Sequence, residues 1–394
     1  MTFLIPTRNR VELLRIAVDS VMAQSDPDFE IAIADNCSDD GTAEYCANLE
    51  DPRVRVSVSD SSLPVTANWN RALRLGTGRY VVMLGDDDAV LPGYVARIRE
   101  LAETWPECDV VYHGAWLFSA PDVDPGEPLG YVQDNAAAAF LRGATEPSVL
   151  SAAVRTRMVA GALDFRYRYG FNMQYAALRR DFLERVWEHG EVFTSDFPDY
   201  FAMNLAMIDA QAILAVPENL VIIGVSRKSY GFFHLNQQES RGREFLQGED
   251  HSVAEVSVLD MPGSYINTGW LAAMLALEER IPDRLPRTPN VPRFRWLQAV
   301  SIYRGRYWDG RCSGETVREM EWFLPGWQRV AGRCLFPVAG ALSRFVPARV
   351  RPSALGVLET LLTRQIPIWR PSRHRPVEDM SQALEWIGRG FSGT

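Results

Sequence analysis

The chain has 394 residues, 47% hydrophobic and 23% charged, with a formal net charge of −9 at neutral pH. This ordinary globular composition is long enough for more than one domain, or for a core with a substantial appendage. An acidic balance argues against wholesale electrostatic binding of nucleic acid. The charge is unevenly spread, because from Gln328 to Pro376 nine arginines face one acid, Glu359. The five cysteines are scattered without a C-x-x-C pair and read as reduced thiols in a cytosolic protein. No signal-peptide pattern opens the sequence, and no uncharged apolar run reaches bilayer length, so a soluble or peripheral protein is expected.

Along the first 115 residues strand-like and helix-like patterns alternate. TFLIPT (2–7) is a short apolar run, and VELLRIAVDSVMAQ (11–24) repeats its apolar positions with a helical period. EIAIAD (30–35) reads as a buried strand, DDGTAEYCANL (39–49) as a short helix, and VRVSVS (54–59) as an alternating strand. TANWNRALRLG (66–76) is a helix stopped by Gly76, RYVVMLG (79–85) a strand, and PGYVARIRELAETW (92–105) a helix with Pro near its first turn. DVVYHG (109–114) follows as another strand. Such alternation implies crossover units and a doubly wound, mainly parallel sheet, whose ligands bind beyond the carboxyl ends of the strands.

The middle region is mixed. AAAAFLRG (136–143) reads as helix, FNMQYAAL (171–178) as strand or helix start, SDFPDYFAMNLAMIDAQAI (195–213) as a loop entering a helix, and LVIIGV (220–225) as a strand. Beyond residue 241 the pattern is helical with Pro-rich breaks, at 264–281, 294–308 and 314–324, with two further short helices.

Three polar clusters fall at the predicted strand ends: Thr7-Arg8-Asn9, Asp35-Asn36 and Asp86-Asp87-Asp88. Three adjacent carboxylates with no basic sequence neighbour are unfavourable unless a cation arrives. Mg2+ and Mn2+ take oxygen ligands, commonly one or two carboxylates completed by phosphate oxygens and water. The competing reading is a solvated turn that caps the next helix. Thr7 and the backbone after it suit a nucleotide, with Arg8 or Arg10 near phosphate, or else simply cap a helix. Asp35 stands where an acid commonly receives a ribose hydroxyl or a base N–H. Asn68 and Arg71 share one helical turn with Trp69, open to either a binding or a packing role.

The stretches FLIPTRNRVELLRIAVDSVMAQ, FEIAIADNCSDDGT, the N-W-N-R-A-L helix and GTGRYVVMLGDDDAVLPG, in that order, together resemble glycosyltransferase family 2. The resemblance implies a GT-A fold, a Rossmann-like doubly wound α/β sheet flanked by helices, with a mostly helical C-terminal region. Residues 1–115 would form the nucleotide-sugar-binding half and 116–240 the acceptor-binding and catalytic half, leaving 241–394 as a helical region that contacts a membrane or a partner subunit. It places Pro6, Thr7, Arg8, Asn9, Asp35, Asn68, Arg71, Asp86 and Asp87 around a UDP-, GDP- or dTDP-sugar. Mn2+ or Mg2+ would sit on two of Asp86, Asp87 and Asp88, with Asp87 or Asp88 favoured as direct ligand. Gly85 departs from the family form, in which an Asp follows the strand leucine.

The implied reaction is inverting transfer to a hydroxyl of a carbohydrate, lipid-linked or other acceptor, in bacterial polysaccharide or glycoconjugate biosynthesis. Asp199, just after Pro198 in S-D-F-P-D-Y, matches the place of the family's base, with Asp196 as the alternative. A helix N-terminus there would hold the carboxylate pKa low, and the competing reading is a plain helix cap. S-R-K-S-Y-G-F-F-H (226–234) is a candidate lid with Arg227, Lys228, the only lysine, and His234. The Arg-rich segment 327–352 suits an anionic membrane surface, a homodimer interface or a packing arm. The expected location is therefore cytoplasmic, peripheral on the inner membrane face. A non-catalytic nucleotide-sugar-binding or assembly subunit of the same fold is the alternative function. A nucleotidyltransferase is disfavoured, since IPTRNR lacks the Gly-rich triphosphate loop.

Overall fold

The computed structural model describes residues 1–124, 129–135, 138–229, 232–233, 257–343, 345–346, 351–363 and 375–388. The described elements group into two compact units, one of Met1–Met158, Arg168–Glu249 and Ile368–Thr394, the other of Val159–Tyr167 and Asp250–Pro367.

The first unit is built on a large mixed sheet. Strands β1 (Thr2–Thr7), β2 (Glu30–Asp35), β3 (Val54–Val58) and β4 (Tyr80–Met83) pair in parallel in the order β3-β2-β1-β4. The apolar residues of β1 and β2 are buried on both faces, which is why these strands read as unbroken apolar runs. Helix α1 (Val11–Met22) buries Leu14, Ala17, Val18 and Val21, and α3 (Val65–Leu75) buries Asn68, Asn70, Ala72 and Leu73; α2 (Thr42–Ala47) is the short helix between them. These elements occupy the positions their periodicity predicts.

The sheet continues beyond β4 with antiparallel pairing. Two-residue β5 (Ala89–Val90) precedes α4 (Tyr94–Thr104), and the strands that follow are β6 (Val110–Ser119), β7 (Gly130–Asn135), two-residue β8 (Ser148–Val149), β9 (Ala176–Arg179) and β10 (Ile213–Val225). Strand β9 runs antiparallel to both β4 and β6, whereas β10 runs parallel to β6. The parallel half is therefore the doubly wound part of the sheet, and the second half is a mixed extension of it. Helix α5 (Ala152–Leu163) precedes β9, and α6 (Arg180–Trp187) and α7 (Pro198–Asp209) lie between β9 and β10. Where AAAAFLRG reads as helix, the described part forms only one 3-10 turn, Ala139–Leu141. The 171–178 stretch resolves into a 3-10 turn, Met173–Tyr175, leading into β9.

The second unit is helical: α8 (Tyr265–Arg280), α9 (Val291–Tyr307), α10 (Gly314–Trp322), α11 (Gly326–Ser343) and α12 (Arg351–Thr363). Tyr303 of α9 donates to Glu321 of α10 at 2.8 Å and stacks on Phe336 of α11 with ring centroids 5.3 Å apart. Trp270 donates to the Ala162 carbonyl at 2.9 Å, and its ring lies against Phe165. Among the described residues, no helix is long and apolar enough to cross a membrane.

After the helical unit the chain rejoins the first one. Strand β11 (Arg375–Val377) adds antiparallel to β7, with Val377 opposite Gly130, and α13 (Met380–Gly388) lies over the sheet. Val377, Met380 and Ala383 join a core cluster with Ala89, Phe118 and Ile222, while Trp386 meets Trp116 edge to face at 5.7 Å. Met380 also lines a small cavity of about 30 Å3 whose walls include Leu13, Phe118, Asp87 and Asp88. Met380→Ala removes a 4% exposed side chain from this cluster and is expected to destabilise the first unit by about 2–4 kcal/mol in urea unfolding.

Candidate functional site

The parallel half brings the predicted strand ends together. Thr7 and Asp35 are direct register partners at the carboxyl ends of β1 and β2. Thr7 Oγ1 donates to Asp86 Oδ2 at 2.7 Å, joining the end of β1 to the aspartate run after β4. Asp35 is fully buried, and its Oδ1 accepts from the Ser38 amide at 3.2 Å and from the Ser38 hydroxyl. Its Oδ2 has no hydrogen-bond partner among the described residues. A buried carboxylate oxygen without a donor is unfavourable, so this atom stands out at a strand end built to hold ligands.

Asn68 and Arg71 act behind that strand end. Asn68 Nδ2 donates to the Ala34 carbonyl at 3.1 Å, and Arg71 Nη2 donates to the Asp35 carbonyl at 2.6 Å and to Asn68 Oδ1 at 2.7 Å. Arg71 Nη1 reaches Ser57 Oγ at 3.1 Å, so the guanidinium clamps β2 to β3. Burial lowers its pKa. Pro6 is half-buried and pairs in register with Ala34. Asn9 takes a left-handed conformation, φ 55°, in which its amide donates to Ser38 Oγ and its Oδ1 accepts from the Asp39 amide, each at 2.8 Å. Arg8 forms no hydrogen bond or ion pair with a described residue and remains half-exposed.

The aspartate run splits into three environments. Asp86, 2% exposed, has both oxygens committed, to Thr7 and to Arg10 Nη1 at 2.6 Å. The positive partner missing from the neighbouring sequence is thus supplied by Arg10, which also stands 3.8 Å from Asp87 Oδ2. Burial pushes the Asp86 carboxyl up, with Arg10 pulling against it. Burial works to lower the Arg10 pKa, yet Asp86 and Asp87 outweigh it and raise it. Asp88 is equally buried and fully committed: Oδ2 accepts from the Gly85 amide at 2.7 Å and Gln174 Nε2 at 2.6 Å, and Oδ1 from the Gly224 amide at 2.8 Å. Burial and then Asp87 push its carboxyl up to about 8. Asp87 is the more exposed member; Oδ2 accepts from the Ser229 hydroxyl, while Oδ1 has no partner among the described residues.

Gly85 now has a physical reason. A Cβ there would lie 2.5 Å from Asp88 Oδ2 and 3.1 Å from Asp87 Oδ1, so the turn that folds the Asp88 carboxylate back onto the Gly85 amide has no room for a side chain. A Cβ on Gly224 would lie 1.8 Å from the Asp87 carbonyl oxygen, a closer and less yielding overlap.

The residues after β10 close over this edge. Arg10 Nη2 donates to the Lys228 carbonyl, Lys228 Nζ donates to the Asn9 carbonyl, and Ser229 reaches Asp87. Arg227 turns outward to Asp122 at 2.8 Å. His234 lies outside the described residues.

Asp196 and Asp199 sit at the entry of α7. That loop is tied to α3 by a reciprocal pair, Asn70 Nδ2 to the Phe193 carbonyl at 2.9 Å and the Phe193 amide to Asn70 Oδ1 at 3.2 Å. Asp199 stands in the first turn after Pro198, and its Oδ1 accepts from the Tyr200 amide at 3.1 Å. The side chain keeps partial contact with solvent, yet burial pushes its carboxyl up to about 7. This corrects the expectation of a low pKa: desolvation outweighs the field of the helix N-terminus. Asp196 is buried, 5% exposed. Tyr200 packs on Phe171 with ring centroids 4.8 Å apart, and the 3-10 turn just beyond Phe171 carries Gln174 to Asp88.

Two participants were invisible to sequence reasoning, Gln174 and the Gly224 amide, and Ser229 stood only within the 226–234 stretch without a role of its own. Gln174 is a single polar residue without a motif. Gly224, a glycine ending an apolar strand, was the only available signal.

Among the described residues, no three His, Cys, Asp or Glu side chains form a ready metal cage. The donor set nevertheless fits one ion through a single carboxylate, Asp87 Oδ1, since Mg2+ and Mn2+ often take one protein carboxylate with phosphate oxygens and water.

Residues 2–119 match the model of Glycosyl transferase family 2. The N-terminal part of this chain is thus similar to a glycosyltransferase family 2 domain. Relatives of the domain include succinoglycan biosynthesis protein ExoO of Rhizobium meliloti, 30% identical over 103 residues, 26% of this chain and 30% of that protein. Another is the GalNAc(5)-diNAcBac-PP-undecaprenol beta-1,3-glucosyltransferase of Campylobacter jejuni, 30% identical over 105 residues, 26% of this chain and 34% of that one. The match thus spans about a third of the length of these curated relatives. Among solved structures, S. aureus TarS 1-349 in complex with UDP-GlcNAc aligns at 14% identity and a TM-score of 0.49, covering 97% of both chains. The family 2 domain contains Thr7, Asp35 and the aspartate run, whereas Gln174, Asp199, Gly224 and Ser229 follow the matched residues.

The two glycines give an ordered prediction. Gly224→Ala should destabilise the protein more than Gly85→Ala, because it meets backbone instead of a carboxylate end, with losses of about 1–3 kcal/mol or more in urea unfolding.

Proposed function

We propose that the chain is an inverting glycosyltransferase that moves a sugar from a nucleoside diphosphate sugar to an acceptor hydroxyl, in polysaccharide or glycoconjugate biosynthesis. The observation that carries this reading is the pair of carboxylate oxygens uncommitted among the described residues at the strand ends, Asp35 Oδ2 and Asp87 Oδ1, beside Asp86 and Asp88, whose oxygens are all bonded.

In this reading Asp35 Oδ2 accepts a ribose hydroxyl or a base N–H. Thr7, Pro6 and Asn9 shape the edge against which the nucleoside rests, with Arg8 free to meet phosphate. Asn68 and Arg71 hold β2 in place instead of touching the donor, and Asp86 fixes Arg10 beside the diphosphate position. A bound Mn2+ or Mg2+, held by Asp87, would neutralise charge on the leaving diphosphate. Asp88 positions that residue by holding the turn. Asp199 takes the proton of the acceptor hydroxyl as its oxygen forms the bond to the anomeric carbon. The bond from that carbon to the diphosphate oxygen breaks on the opposite face, so configuration inverts and the nucleoside diphosphate leaves with the electron pair.

A carboxyl at about 7 is half deprotonated near neutrality, and only its ionised form accepts a proton. Transfer should therefore rise with pH across that range and level off above it. The Campylobacter relative is named for a PP-undecaprenol saccharide, which supports a lipid-linked acceptor as the first class to test.

The test is turnover and calorimetry with a panel of UDP-, GDP- and dTDP-sugars. Asp199→Asn should keep nucleotide affinity and lose about 10²–10⁴-fold in kcat, together with the ascending pH limb. Normal kcat in that variant removes Asp199 as the base. Asp87→Asn should weaken manganese-dependent nucleotide binding, and full wild-type transfer in EDTA would remove the metal from the scheme. Nucleotide binding with neither transfer nor hydrolysis would leave a binding subunit.

A further inference from the structure

The second unit carries an apolar surface that the transfer reading does not use. Helix α11 packs on its neighbours through a narrow stripe, Gln328, Gly332, Phe336 and Gly340, spaced one turn apart. Phe336 stacks on Tyr303 and lies 5.2 Å from Trp308 between ring centroids, so this stripe fixes the rotation of the helix. The opposite side is apolar and uncovered. Trp327, Val330, Val338, Leu342 and Phe345 are between 57% and 87% exposed, and Trp322, at the end of α10, is 85% exposed. Monomeric proteins seldom leave so many large apolar side chains together in water.

Charge decides what covers them. From Trp322 to Leu358 the sequence contains five arginines and no Asp or Glu. Arg329 is exposed on α11, while Arg333 is answered from within by Glu321. The next acid, Glu359, is paired with Arg304 at 2.7 Å. A two-fold contact between copies sets a patch against itself, and this segment holds five arginines with no acid of its own to pair them. An exposed apolar face in a segment that carries arginines and no acid instead matches the boundary between acyl chains and anionic headgroups, where Trp and Phe are favoured.

We propose that the exposed face of α11, with Trp322 and Phe345 at its ends, seats in the interfacial layer of an anionic lipid bilayer and holds the protein at the membrane without crossing it. The inference goes beyond the transfer reading, and vesicle binding needs neither donor nor turnover.

The full chain should sediment with vesicles containing about one-third phosphatidylglycerol and far less with pure phosphatidylcholine, the bound fraction falling as salt rises. The triple variant Trp327→Ser, Val338→Ser, Leu342→Ser should bind these vesicles at least about tenfold more weakly. All three positions are exposed, and an unchanged circular dichroism spectrum and melting temperature verify that the fold is kept. Arg329→Glu should weaken binding to anionic vesicles and leave the weak binding to neutral ones unchanged. Wild-type protein that fails to bind phosphatidylglycerol vesicles overturns the proposal, as does a triple variant that binds them normally. A concentration-dependent dimer in light scattering that the triple variant abolishes would assign the face to self-association and equally overturn it.

Discussion

One carboxylate, that of Asp88, ties the sheet together at the place where its two halves meet. It accepts from the amide of Gly85 at the end of the parallel half, from the amide of Gly224 near the end of β10, and from Gln174 on the turn before β9. Residues far apart in sequence thereby close on one buried group. Burial raises its pKa, but the donors are backbone and amide dipoles fixed by the strands, so the geometry holds the loop in either charge state. The absence of a side chain at positions 85 and 224 is the steric condition for this tie.

Three identical residues in a row thus acquire different tasks. Asp86 is neutralised by Arg10, Asp88 is spent on the fold, and Asp87 keeps one oxygen open. The like-charge problem that the sequence presents is solved by a residue 76 positions away, at the start of α1. Like charges in a row are separated by environment, and only the most solvent-facing member keeps an oxygen uncommitted among the described residues.

The sequence was most legible where local pattern and tertiary burial agree. Buried parallel strands are continuous apolar runs, and the helices between them show their period, so β1 to β4 and α1 to α4 lie where expected, as do the helices of the second unit. Strand ends likewise placed Thr7, Asp35 and the aspartates together. Less legible were features decided by distant contacts. Three-residue β11 has no period to detect, and only its pairing with β7 makes it a strand. The roles of Asn68 and Arg71 stayed open in sequence because facing a ligand and clamping a carbonyl require the same side chains. The Asp199 pKa depends on how deeply the helix start is packed, a quantity absent from the helix itself.

Lys228 is the only lysine of the chain, and its ammonium rests on the Asn9 carbonyl at the rim of the candidate site. Reagents that couple to side-chain amines therefore have a single address, beside the carboxylate left open on Asp87. Acylation there would remove the charge and the contact with Asn9, so an amine-linked dye becomes a reporter of how the rim opens. Attachment to a sensor surface by the same chemistry would tether the protein by that rim.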